Sequence, residues 1–133
     1  VLDALRGEHA VILAQVRAQE EVLEAVWGRY RTYNEEYRVR KAEGLAIIDA
    51  TLYQNGLRAV EGEIQRETDR LEELRRQEER KRTEVVEAKK ETASLEKLRE
   101  KKLDLYNKEA AKAEERFLEE FVSTTRANQS ASA

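Results

Sequence analysis

The chain has 133 residues, of which 40% are charged and 40% hydrophobic, and it contains no proline, cysteine or methionine. The absence of proline with heavy use of Glu, Lys, Arg, Ala and Leu is typical of long helices, and the absence of cysteine excludes a disulfide scaffold and thiol-ligated metal. The 25 basic and 28 acidic residues nearly cancel, to a formal charge of −3. This balance argues against nucleic acid as the main partner, because phosphate binding needs a net basic face.

Residues 1–43 predict one long heptad helix. Steps of alternately three and four residues from Leu2 meet eleven positions, nine of them apolar or aromatic. These positions are Leu2, Leu5, His9, Ile12, Val16, Gln19, Leu23, Val26, Tyr30, Tyr33 and Tyr37. Such a seam is the signature of a coiled coil, and it favours a helical assembly over the disordered charged chain that composition alone allows. We interpret the single histidine, His9, as a packing or register residue, since a metal site would need further His or Cys ligands.

Residues 44–51 are expected to form a bend. Gly44 suits a helix stop, because glycine adopts the left-handed conformation without steric cost. The apolar residues expected to fold over the end of the hairpin are Leu45, Ile47 and Ile48. Asp49 or Thr51 is expected to cap the next helix, which is predicted over residues 52–127, with a frayed tail over 128–133.

The second helix carries its own seam, which the polar residues Glu67, Glu78 and Lys81 interrupt. The seam consists of Leu57, Val60, Ile64, Leu71, Leu74, Val85, Ala88, Thr92 and Leu95. A short connection between two heptad helices makes an antiparallel hairpin the simplest fold. Pairing outward from the bend places Tyr37 near Leu57, His9 near Val85 and Leu2 near Thr92. The predicted fold is therefore all-α, an antiparallel two-helix coiled coil (helical hairpin) with a protruding C-terminal helix.

The stretch LEKLREKKLDLYNKEAAKAEERFLEEF, residues 95–121, carries an apolar stripe that the first helix does not reach. Three partners could bury this stripe: a segment preceding Val1, a second copy of the chain, or another protein. The basic residues Arg99, Lys101 and Lys102 lie on this stretch. They form either a solvated face or a steered contact with an acidic partner surface.

The sequence shows no constellation suited to catalysis. A two-helix hairpin has almost no concavity, and the five glycines are too scattered for a phosphate-binding loop. We therefore expect no enzyme, no cofactor and no metal. The basic run RRQEERKR, residues 75–82, is interpreted as a solvated face, because no aromatic residue accompanies it for base stacking. Trp27 is either a packing residue at the shoulder of the seam or an exposed binding hot spot. No apolar run approaches the roughly 20 residues that cross a bilayer.

Three motifs, in order, resemble the family of the flagellar export protein FliJ, whose relatives are the type III secretion stalk proteins of the YscO kind. The motifs are YNEEYR at 33–38, LYQNGLRAVEGEI at 52–64 and the stretch at 95–121. The resemblance implies a coiled coil similar to the stalk subunit of rotary ATPases. It implies a non-enzymatic regulator that sits in the centre of the hexameric export ATPase, contacts the export gate protein in the membrane and handles export chaperones. It also implies a cytoplasmic chain, peripherally associated with the inner membrane.

The resemblance further implies two sets of binding residues. The end of the hairpin that carries both termini engages the ATPase in this family, which maps onto Leu95, Leu98, Arg99, Lys101, Lys102, Tyr106 and Phe117. The gate-binding face lies early on the second helix, which maps onto Tyr53, Gly56, Leu57, Val60, Glu63 and Glu67. Gly56 and Glu63 depart from the apolar character expected there, and the basic and aromatic start of the family is not evident at Val1, so part of the first helix is expected to be missing.

Two other classes of protein compete with this interpretation. A generic coiled-coil scaffold or dimeric tether would hide the stripe at 95–121 in a homodimer. A helical arm that binds nucleic acid would show steep salt dependence of binding.

Overall fold

The structure of the protein is a computed structural model that describes residues 1–132. Helix α1 spans Leu2–Glu43 and helix α2 spans Ile47–Ser132, and the described residues contain no strand. Side-chain contacts join the two helices over the first 88 residues, for example between Lys81 and Glu8. The prediction of an all-α antiparallel helical hairpin is confirmed.

The seam predicted for α1 forms the contact face of that helix. All eleven seam residues are buried or half-buried, whereas nearly all residues between them are exposed. The most covered are Val26, Gln19 and Val16, with exposed fractions of 3%, 6% and 8%. The three-and-four spacing therefore identified the face that packs against α2, because side chains at that spacing lie on one side of a helix.

The connection between the helices is shorter than the sequence predicts. It contains Gly44, Leu45 and Ala46, whereas the expected bend covers 44–51. Gly44 has φ 99°, and its N–H donates to the Lys41 carbonyl at 3.3 Å, so the predicted glycine stop is confirmed. Helix α2 starts at Ile47, and the Ala46 carbonyl accepts a hydrogen bond from the backbone of its first turn at 2.9 Å.

The expected cap of α2 is wrong, and so is the expected cover of the hairpin end for Ile47 and Ile48, whereas Leu45 is half-buried. Thr51 already lies inside α2, where its Oγ1 donates to the Ile47 carbonyl at 2.9 Å. Asp49 likewise lies in the first turn of α2. Ile47 and Ile48 remain 87% and 72% exposed, because the earlier helix start turns both side chains outward instead of over the hairpin end.

The earlier start of α2 shifts the pairing of the two helices by more than one helical turn from the predicted register. His9 Nε2 lies 2.9 Å from Glu78 Oε1, so the predicted neighbour of His9, Val85, is wrong. The first buried seam residue of α2 is Tyr53 rather than Leu57, the residue from which the predicted register was counted. The register follows from the length of the connection, since each residue removed from the bend moves α2 along α1.

All three polar residues that interrupt the α2 seam have partners in the hairpin. Gln19 Nε2 donates to the Glu67 carbonyl at 3.0 Å and also contacts the Glu67 carboxylate. Glu78 meets His9, and Lys81 Nζ donates to Glu8 at 2.9 Å and to Glu84 at 2.8 Å. Polar residues at seam positions weaken packing but can fix register, and these pairs fit that role.

The chain divides into two units, Val1–Ala88 and Lys89–Ala133, of which the second is described to residue 132. The second unit is helical throughout that range, and its side chains are exposed from 89 to 131. Thr92 and Leu95, which the sequence places in the seam, are exposed, so the seam ends with the first unit. The expected frayed tail at 128–133 overlaps the last turn of α2, and Ala133 lies outside the described residues.

The close approach of Gly56 to Tyr33 predicts opposite effects of alanine at two helical glycines. A Cβ at Gly56 would lie 2.7 Å from Tyr33 Cε1 and 2.8 Å from its Cζ, whereas a Cβ at Gly7 would meet nothing within 4 Å. We expect Gly56→Ala to lower the free energy of unfolding by about 1–3 kcal/mol through overpacking. Gly7→Ala should raise it by about 1 kcal/mol through helix propensity alone. Urea unfolding followed by circular dichroism measures both, and an equal gain at the two sites would contradict the close approach.

Candidate functional site

The six residues that the resemblance assigns to the export gate lie on consecutive turns of α2 in the hairpin. None is fully exposed: Tyr53 is buried and the other five are half-buried. They are Tyr53, Gly56, Leu57, Val60, Glu63 and Glu67. The structure therefore brings the predicted set together along the edge of the seam.

Tyr53 is held by an aromatic cluster at the bend end of the hairpin. Its ring centroid lies 5.1 Å from that of Tyr33 and 5.3 Å from that of Tyr37. Its hydroxyl donates to Glu36 Oε1 at 3.0 Å and accepts from Arg40 Nη1 at 3.2 Å. With an exposed fraction of 8%, this side chain is engaged in the hairpin itself.

The two carboxylates of the set also contact α1. Arg29 Nη2 donates to Glu63 Oε1 at 2.9 Å, and this hydrogen bond holds the pKa of Glu63 below its usual range. The Glu67 carboxylate accepts a hydrogen bond from Gln19 Nε2. Leu57 and Val60 are thus the apolar members of the set that remain half-exposed on the hairpin surface.

The residues predicted to bind the ATPase all lie on the exposed second unit. The apolar members are Leu95, Leu98, Tyr106 and Phe117, with exposed fractions of 63%, 48%, 69% and 66%. Arg99, Lys101 and Lys102 are exposed as well, and none of them forms an ion pair within residues 1–132. Arg99 and Lys102 therefore occur beside the large apolar side chains on one face of the helix, whereas Lys101 lies on the other side of it.

Further exposed apolar residues were not among the predicted site residues. In the second unit they are Leu103, Leu105, Leu118, Phe121 and Val122. A second group, Ile47, Ile48 and Leu52, lies at the start of α2. The density of leucine and phenylalanine in residues 95–122 was a sufficient sequence signal for the first group, whereas the second depends on where α2 begins.

The basic run at 75–82 is neutralised inside the hairpin. Every Arg and Lys of this run lies within 4.0 Å of a carboxylate: the pairs are Arg75–Glu20, Arg76–Glu73, Arg80–Glu73, Lys81–Glu8, Lys81–Glu84 and Arg82–Glu78. Exposed pairs of this kind contribute little stability, because water and salt screen the two charges. Each cation of the run at 75–82 nevertheless has a carboxylate partner, whereas Arg99, Lys101 and Lys102 have none within residues 1–132.

Trp27 packs against a neighbouring aromatic ring and is also partly exposed. Its ring packs edge-to-face on Tyr30, with centroids 5.8 Å apart and planes at 85°, and the residue is 40% exposed.

Among the described residues, neither helix contains an apolar stretch that could span a membrane. Residues 1–132 also contain no group of three or more His, Cys, Asp or Glu suited to hold a metal ion.

The Arg29–Glu63 pair predicts a pH-dependent contribution to hairpin stability. Because the pKa of Glu63 is lowered in the folded chain, this contribution is present above the ordinary glutamate pKa and is lost as the pH falls through the folded value. We expect Arg29→Gln to raise the pKa of Glu63 towards its ordinary value, as measured by NMR titration of the side-chain carboxyl. Glu61, whose pairing does not involve Arg29, is the internal control, and an unchanged Glu63 titration would contradict the hydrogen bond as its cause.

Comparison with known proteins gives one family match, which covers nearly the whole described chain. The model of a protein family described as flagellar FliJ protein matches residues 2–131. No curated protein and no solved structure matches the chain. The family match spans both the hairpin and the exposed second unit, and the helical hairpin agrees with the coiled coil that the resemblance implies. The chain belongs to the FliJ family, and so to the components of the flagellar, type III protein export apparatus.

Proposed function

We propose that the chain is a stalk and adaptor that binds the centre of the hexameric export ATPase through its second unit and links it to the export gate. Membership in the FliJ family supports a role in the export apparatus. The observation that carries the ATPase contact is the exposure of the entire apolar and basic surface at residues 95–117.

The chemistry of that surface favours insertion of a helix into a protein groove. Exposed aromatic and leucine side chains at helical spacing are the anchors of helix-in-groove recognition. Arg99 and Lys102 add positive charge beside these anchors, so the groove is expected to carry acidic side chains along its rim. Burial of the stripe would supply most of the affinity, and the cations would orient the helix.

The hairpin is the proposed contact with the export gate. Tyr53, Gly56, Glu63 and Glu67 are engaged with α1, and their role in this proposal is to hold α2 in place. Leu57 and Val60 are the residues proposed to touch the gate. Binding to the gate would place the chain at the cytoplasmic face of the inner membrane without inserting it. Handling of export chaperones is a further part of the proposed role, supported by family membership alone.

Charge reversal on the second unit is predicted to weaken the effect of the chain on the ATPase. We expect the intact chain to stimulate the hexameric export ATPase, and Arg99→Glu or Lys102→Glu to require at least about tenfold more chain for the same stimulation, because each change places a negative charge against an acidic rim. A steady-state ATPase titration measures this.

Lys89→Glu is the matched control, since Lys89 is an exposed cation of the same unit that precedes the stripe. It should leave the stimulation unchanged. An ATPase that does not respond to the intact chain contradicts the proposed function. A loss in Lys89→Glu equal to that in Arg99→Glu contradicts only the assigned residues.

Truncation of the two half-exposed apolar residues on α2 is predicted to weaken gate binding. We expect the double variant Leu57→Ala/Val60→Ala to bind the cytoplasmic domain of the gate protein about tenfold more weakly, as measured by isothermal titration calorimetry. Leu52→Ala, at a more exposed leucine outside the assigned set, is the control. Thermal unfolding of each variant separates lost contact from lost fold, and unchanged affinity in a folded double variant contradicts the assignment.

A further inference from the structure

The hairpin is packed unevenly along its length. Among residues 1–132 the buried side chains of the part between the bend and Val16 are Val16, Gln19, Val26, Tyr53, Ile64 and Leu71. Residues 2–13 of α1 contain no buried side chain, and Val85 is the only buried residue that the described part of α2 has after Leu71. The end of the hairpin away from the bend therefore has the smaller core.

Polar side chains form much of the contact at that end. We call residues 2–13 the strap, which lies against residues 74–88 of α2. His9 Nε2 lies 2.9 Å from Glu78 Oε1, and Lys81 Nζ donates to Glu8 Oε2 at 2.9 Å. Water and salt screen charged pairs that are not fully buried, so these contacts hold the strap less firmly than an apolar core would.

The backbone of the strap also favours opening. Gly7 lies in its middle, and glycine in a helix interior is less favourable than alanine. A Cβ at Gly7 would meet nothing within 4 Å, so no close contact requires a glycine there. A separate helix as short as the strap is marginal in water. We therefore expect the strap to lose its helical hydrogen bonds when it leaves α2.

The bend end of the hairpin is held by many more contacts. The Tyr53 ring lies 5.1 Å from that of Tyr33 and 5.3 Å from that of Tyr37, between ring centroids, and its hydroxyl joins Glu36 and Arg40. A connection of three residues also keeps the two helices together here. Opening from the bend would break this aromatic cluster, whereas opening from the other end breaks only the contacts of the strap.

We propose that the strap detaches from α2 as a unit while the rest of the hairpin stays closed. Local opening of this kind occurs where few buried apolar contacts hold a segment. Detachment uncovers Leu74 and Val85 on α2, which the closed hairpin keeps half-buried and buried, respectively. The first unit thus has a second, open state in which this part of the α2 seam is accessible.

Native-state hydrogen exchange of the intact chain, followed by NMR, tests the proposal. The protection factors of amides 6–13, in the strap, should be at least about tenfold lower than those of amides 30–37, near the bend, because the strap opens without the rest of the hairpin. Exchange at two pH values verifies that the rates report opening equilibria rather than opening rates.

Two matched glycine substitutions in α1 locate the opening. Gly7→Ala, inside the strap, should raise the protection of amides 6–13 about fivefold through helix propensity. Gly28→Ala lies outside the strap, and its Cβ would be 3.9 Å from Arg31 Nη2, an ordinary contact. It should raise the protection of amides 30–37 by a similar factor and leave amides 6–13 unchanged, because residue 28 stays helical when the strap detaches.

Equal protection of amides 6–13 and 30–37 in the intact chain overturns the proposal. So does an equal rise of both sets in Gly28→Ala, since the hairpin then opens as one unit, and so does a strap whose exchange ignores Gly7→Ala. Circular dichroism verifies that each variant keeps its helices. None of these outcomes contradicts the proposed ATPase and gate contacts, because neither contact uses residues of the strap.

Discussion

The register of α1 on α2 is the constraint on which the rest of the hairpin depends. A connection of three residues, with Gly44 at φ 99°, leaves almost no freedom in where α2 begins. The start at Ile47 places Tyr53 against Tyr33 and Tyr37 and lets Gly56 approach the Tyr33 ring. A longer connection would slide α2 along the seam and separate these contacts, since packed side chains interdigitate in discrete positions.

Polar contacts at the seam then distinguish this register from its neighbours. A heptad seam of leucine, isoleucine and valine is nearly self-similar after a shift of one heptad, so apolar packing alone discriminates poorly between registers. Gln19 meets Glu67 and His9 meets Glu78 in only one alignment. These pairs cost packing area but leave no buried side-chain polar atom without a partner among the described residues. Their role in the hairpin is specificity of alignment.

Basic residues of the run at 75–82 have carboxylate partners in the hairpin, whereas those beside the apolar stripe of the second unit do not. In the hairpin, cations of the run at 75–82 are paired with carboxylates of both helices. At residues 95–121 the cations and the large apolar groups face solvent together. The chain that carries this surface belongs to the FliJ family, a component of the export apparatus. This arrangement, an apolar stripe with Arg99 and Lys102 beside it, suits the acidic groove of the proposed function.

The sequence by itself determined the helical class, the contact face of α1, the glycine stop and the family. Heptad spacing depends only on residues near one another in sequence, and motif order depends only on their succession along the chain. It also marked Leu95, Arg99, Tyr106 and Phe117 as one surface, since positions on a single helix follow from the helical repeat. The register, the burial of Tyr53 and the exposure of Ile47 and Ile48 came only from the tertiary structure. These depend on the exact residue at which α2 starts, and local sequence signals such as the capping spacing of Thr51 and Gln54 pointed to a later one. Packing of Tyr53 against two tyrosines of α1 accompanies the earlier start, and such contacts between distant residues are not encoded in any local pattern.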